Sequence, residues 1–73
     1  MDDGIEEAIA LCDSIIEDVG DVPPAGEDFA DSVNEKTVDI KAWIVENETV
    51  TARQLDALQN MRRGLDRWLR HRR

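Results

Sequence analysis

Val50-Thr51-Ala52-Arg53-Gln54-Leu55 opens the stretch that decides the fold, and from it the chain runs without a proline to Arg73. Thr51 and Gln54 stand at capping-box spacing: the Thr hydroxyl accepts from the N3 amide while the Gln side chain reaches back to the cap amide. Val50 and Leu55 occupy the N′ and N4 positions, where a hydrophobic staple joins a helix to its lead-in. The start of a helix is thus specified twice. Beyond it, Leu55, Leu58, Met61, Leu65 and Leu69 recur at three- and four-residue steps, which predicts an amphipathic helix over 52–71 with one buried stripe. Gly64 interrupts this helix at about 1 kcal/mol relative to Ala. Close approach of another helix would account for it, and so would simple tolerance.

Working outward, Asn47-Glu48-Thr49-Val50 is a short connection of the kind that joins antiparallel helices. Before it, Phe29, Val33, Thr37, Ile40 and Ile44 give the inner stripe of a helix over 27–47. Helices two and three are therefore expected to form an antiparallel hairpin. A first helix is predicted over 3–19, with Ile5, Ala8, Ile9, Cys12, Ile15, Ile16 and Val19 inward and Gly20 as its C′ residue. Leu11 falls off that stripe and is expected to be exposed. Gly20-Asp21-Val22-Pro23-Pro24-Ala25-Gly26 reads as a Pro/Gly hinge. The expected architecture is all-α, a three-helix bundle in a single domain over 1–73: first helix to residue 19, hinge 20–26, helical hairpin 27–73. Helix one packs across the hairpin or lends its stripe to a partner.

Gly26-Glu27-Asp28-Phe29-Ala30-Asp31-Ser32-Val33, followed by Thr51-x-x-Gln54-x-x-Ala57-Leu58 and Gly64-Leu65-x-x-Trp68-Leu69, resembles a short helical module of small phage and bacterial accessory proteins. The resemblance covers residues 26–69 and rests mostly on capping and core positions. It implies a phage or mobile-element setting and an accessory role, and carries no catalytic residue with it.

A chain of 73 residues buries a thin core, which makes a partner or a second copy worth considering. The lone Cys12 allows no internal disulfide and fits a reducing compartment. No apolar run approaches the roughly 20 residues of a membrane span, and Met1-Asp2-Asp3 is too acidic to begin a secretory signal. A soluble cytoplasmic protein, with no membrane partner, is the expectation. The net charge of -8 is unevenly spread. Residues 1–50 hold fifteen acids and two bases, for -13, and residues 51–73 hold seven arginines and two acids, for +5. This is either complementary charge within one fold or two recognition surfaces of opposite sign.

Catalytic chemistry finds no set of residues. His71 is the only histidine, Cys12 lies on an inward stripe with nothing beside it in sequence to activate a thiolate, and there is no phosphate-cradling glycine loop. No enzyme, cofactor, metal site or small-molecule substrate is expected. Two charged rows remain. Asp28, Asp31, Glu35 and Asp39 follow i, i+3, i+7 and i+11, so they form one ridge on helix two, with Trp43 as a candidate anchor nearby. Arg63, Arg67 and Arg70 follow i, i+4 and i+7 on helix three, and Arg72 and Arg73 extend the charge. Cations at a helix C-terminus also suit the helix dipole, and Asp66 has Arg62 and Arg70 at i±4. The leading expectation is a non-enzymatic adaptor or inhibitor that docks the acidic ridge on the basic surface of a protein or nucleoprotein complex. The alternatives are a nucleic-acid accessory protein working through the arginines, or a structural homodimer held by helix one.

Overall fold

The computed structural model describes residues 4–70. They form α1 (Ile5–Val19), a single 3₁₀ turn (Pro24–Gly26), α2 (Glu27–Asn47) and α3 (Ala52–Arg70), with no strand among them. The helices run up, down and up. Asp13 of α1 meets Lys41 of α2, Thr37 of α2 meets Met61 of α3, and Ser14 and Asp18 of α1 meet Arg62 of α3. The body measures 41 × 18 × 18 Å, a width that fits three helices around one seam.

That seam is narrow. Ala8, Cys12 and Ile15 of α1, Val33, Thr37 and Ile44 of α2, and Leu58 and Leu65 of α3 are buried at three-, four- and seven-residue steps. Heptad-like spacing of this kind keeps one edge of each helix on a common axis. Thr37 is the one polar residue buried at the seam among those described, and its hydroxyl donates to the Met61 sulfur at 3.9 Å. Helices α2 and α3 form the antiparallel hairpin expected from the sequence, but the broadest interface is between α1 and α2.

The ends of the elements follow local chemistry. At α3 the capping box is made in full: the Gln54 amide donates to Thr51 Oγ1 at 3.1 Å, and the Thr51 amide donates to Gln54 Oε1 at 3.0 Å. Val50 packs against the core. At α1 the helix begins at Ile5 rather than residue 3, because Gly4 takes a left-handed backbone (φ 99°) that a helix cannot include. Gly20 is not the left-handed cap expected of it: its φ is -67°, and its amide closes a turn onto the Asp18 carbonyl. The left-handed cap is instead Glu48 (φ 52°) after α2, whose amide donates to the Ile44 carbonyl at 2.8 Å. The expected continuation of helix three to His71 lies outside the described residues, as do Asp2 and Asp3.

Three core assignments change. Leu11 is not exposed; it is half-buried and packs on the core. It lies three residues before Ser14 and seven before Asp18, the two residues that meet Arg62, so it shares their α3-facing flank. Ala30, absent from the sequence-derived stripe, is buried. Of the inner stripe of helix three only Leu58 and Leu65 are fully buried; Leu55, Met61 and Leu69 are half-buried, and Leu55 lies one turn before Leu58.

Gly64 marks a close approach. A Cβ built there would stand 2.9 Å from Phe29 Cζ, inside van der Waals contact. Gly26 repeats the arrangement one turn along: a Cβ would meet Trp68 ring atoms at 3.0 Å and Val22 Cγ1 at 2.7 Å. Two aromatic rings, one from each helix, are thus laid over glycine backbone where α2 begins and α3 ends. The connection before α2 is drawn in by the Asp21, Val22 and Gly26 amides, which donate to Asp18, Val19 and Pro23 carbonyls.

Candidate functional site

The bundle divides its charges into those used between helices and those left outside. Arg62 is the internal hub. Its guanidinium reaches Asp18 of α1 at 2.6 Å, Asp66 one turn along its own helix at 2.8 Å, and the Ser14 hydroxyl of α1 at 2.7 Å. The planar fork of donors suits this divergent set, which a lysine could not satisfy together. Burial alone would lower the Arg62 pKa, but its hydrogen bonds to the Asp18 and Asp66 carboxylates more than reverse that and hold the guanidinium more firmly charged than usual. Lys41 makes the second inter-helix pair, with Asp13 of α1. Both bridges tie α1 down, one to α3 and one to α2.

The acidic ridge is built otherwise. At about 100° per residue, Asp28, Asp31, Glu35 and Asp39 fall within an arc of about 80°, opposite the seam residues Val33, Thr37 and Ile44. All four are exposed, and among the described residues none has an ion-pair partner. The row extends over about 16 Å of helix. Trp43 follows Asp39 by four residues and is 40% exposed, which places an aromatic face at the C-terminal end of the row. The structure therefore brings the four ridge carboxylates and Trp43 onto one outer side of α2.

Trp68, by contrast, lies against Gly26 and is half-buried, so the two tryptophans differ in kind. The glycine opposite Trp68 is what separates them.

Arg63, Arg67 and Arg70 are exposed on the outer side of α3, within about 60° of one another. Arg63 donates to Asn60 on its own helix at 2.8 Å. Arg72 and Arg73 lie outside the described residues. The reading of the arginines as a counterweight to the acidic helices holds for Arg62. The sequence offers Arg62 a partner in Asp66 at i+4; its reach to α1 depends on a register that no local pattern reveals.

Cys12 of α1 is fully buried in the core. Burial, and then the neighbouring Asp13 charge, push its thiol pKa up, which keeps it protonated and unreactive. No group of three or more His, Cys, Asp or Glu side chains among the described residues is placed to hold a metal ion. None of the described helices is long and apolar enough to cross a membrane.

Fold and surface together define a small all-α protein: a three-helix bundle with an acidic ridge on one helix that has no ion-pair partner among the described residues, and an arginine row on another. Comparison of the chain with protein-family models, with curated proteins and with solved structures returns no match.

Proposed function

We propose that this chain is a non-enzymatic binding protein that docks the outer face of α2 on the basic surface of a protein or nucleoprotein complex, as an adaptor or inhibitor in the cytoplasm. One observation carries the reading. The bundle matches Lys41 and Arg62 to carboxylates on neighbouring helices, yet leaves Asp28, Asp31, Glu35 and Asp39 in a row without a counter-charge among the described residues. A row of like charges at i+3 and i+4 steps weakens its own helix slightly. A cationic partner would turn that repulsion into attraction and would be steered towards the ridge by its field. Trp43 supplies apolar contact area of the kind that concentrates binding energy at interfaces. The resemblance of residues 26–69 to phage and bacterial accessory modules fits such a role.

The test is affinity capture from host extract with the wild-type chain and with a variant carrying Asp31→Lys, Glu35→Lys and Asp39→Lys. The expected result is loss of the captured partner with an unchanged circular dichroism spectrum. Undiminished capture by the folded variant removes α2 as the contact surface.

The exposed arginine row supports a second reading, nucleic-acid binding through Arg63, Arg67 and Arg70. It predicts a mobility shift of DNA or RNA at low salt that weakens steeply as salt rises and is lost when the three are replaced by Glu. No shift at low salt argues against it.

A further inference from the structure

The two charged rows are stepped alike. Read from the N-terminus of α2, Asp28, Asp31 and Glu35 are separated by three and then four residues. Read from the C-terminus of α3, Arg70, Arg67 and Arg63 are separated by three and then four residues. Both sets fall on one side of a regular helix, so the charges lie about 4.5 and 6 Å apart along the axis in each row. An α3 laid antiparallel on the outside of an α2 therefore brings Arg70 opposite Asp28, Arg67 opposite Asp31 and Arg63 opposite Glu35. The same register sets the Gln59 amide opposite Asp39 and Asp56 opposite Ala42, so it places no carboxylate against a carboxylate.

These rows cannot meet within one chain, because each is turned outward from the seam that joins α2 to α3. We propose that the basic surface recognised by the ridge is the arginine row of a second copy of this chain, the copies associating head to tail through α2 of one and α3 of the next. The proposal rests on the reading of the α2 ridge as a docking surface and gives it a specific occupant. The contact is heterologous: each association leaves one ridge and one arginine row unused, so assembly extends or closes into a ring. The chain's net charge of -8 opposes association at long range. At physiological ionic strength charges more than about 8 Å apart are largely screened, whereas matched pairs in contact persist. Exposed ion pairs are individually weak, so self-association belongs at high concentration and moderate salt.

The experiment is sedimentation velocity at about 0.15 M salt, from about 20 µM to 1 mM. Three proteins are compared: wild type, an acid-side variant (Asp28→Lys, Asp31→Lys, Glu35→Lys) and a base-side variant (Arg63→Glu, Arg67→Glu, Arg70→Glu). Wild type is expected to sediment faster as concentration rises and to revert to monomer at about 0.5 M salt. Each folded variant alone is expected to stay monomeric. An equimolar mixture of the two is expected to associate, because the intact arginine row of the acid-side variant meets the intact ridge of the base-side variant, and the Lys ridge of the first meets the Glu row of the second; a mixture that stays monomeric overturns the proposal. One chain carrying both sets of substitutions, in which the rows are swapped in sign, should likewise associate. A wild-type monomer at every concentration overturns the proposal, as does association that survives in either single-side variant. Capture of a different basic partner by a wild-type chain that stays monomeric overturns the second copy as occupant and leaves the ridge reading standing.

Discussion

Gly64 lies within α3, against the Phe29 ring of α2. In an exposed helix interior, Gly→Ala stabilises by about 1 kcal/mol. Here the added methyl would press on the Phe29 ring at 2.9 Å. Overpacking of this kind costs about 1–3 kcal/mol, enough to cancel or reverse the gain in propensity. Gly64→Ala is expected to lower stability by about 1 kcal/mol in the wild-type background and to raise it in a Phe29→Ala background. Urea denaturation of the four proteins of this cycle checks it, and additive effects would show that the ring and glycine are uncoupled. Cys12 offers a second residue-level test. Its thiol pKa is raised by burial and by Asp13, so the folded state holds the proton above the unfolded thiol value of about 8.5. The stabilisation is fully present below that value and is lost as pH rises through the folded pKa. Between pH 8 and 10 the wild type is therefore expected to lose stability more steeply than Cys12→Ala, as measured by chemical denaturation at each pH; parallel slopes would contradict this.

At the scale of the helix, the start of α3 was legible in six residues because a capping box is local: donor and acceptor are three residues apart, and both bonds form. Thr51→Ala is expected to cost about 1 kcal/mol in urea denaturation. A change within a few tenths would mean that the cap leaves no mark on global stability. Flank assignments were less legible for a reason intrinsic to three-helix bundles. Each helix faces two neighbours, so residues on either side of the seam are buried or exposed according to where those neighbours sit. Leu11, expected outside, is drawn onto the core on the flank that meets α3, and Leu55, expected inside, is no more buried than Leu11. Met61 reads as a stripe member and Gly64 as an interruption, with nothing local to tie Trp68 to either. They share the α2-facing flank, where they meet Thr37, Phe29 and Gly26. The acidic ridge was legible because it is a periodicity within one helix. The Asp13–Lys41 and Asp18–Arg62 bridges were not, because they span 28 and 44 residues and exist only in the folded register.

Across the whole molecule, those bridges separate charge that holds the fold from charge available for other uses. Arg62 and Lys41 fasten α1; the α2 ridge fastens nothing among the described residues and works slightly against its own helix. Glu35 sits between Asp31 and Asp39 at i-4 and i+4, two like-charge contacts worth about 0.2–0.5 kcal/mol each. Glu35→Lys converts both into attractions. It is expected to stabilise the chain by about 0.5–1 kcal/mol at low ionic strength, with the gain shrinking at about 0.5 M salt as the pairs are screened. The same substitution is expected to weaken docking through the ridge. The combination is what identifies a surface held for binding: a solvated face with no partner would show the gain in stability without the loss of capture, and a face needed by the fold would show neither. Thermal denaturation at two salt concentrations, set beside the capture measurement on the same protein, distinguishes the three. A fall in stability on Glu35→Lys would mean that this carboxylate holds the fold together, and the ridge would then belong to the architecture rather than to recognition.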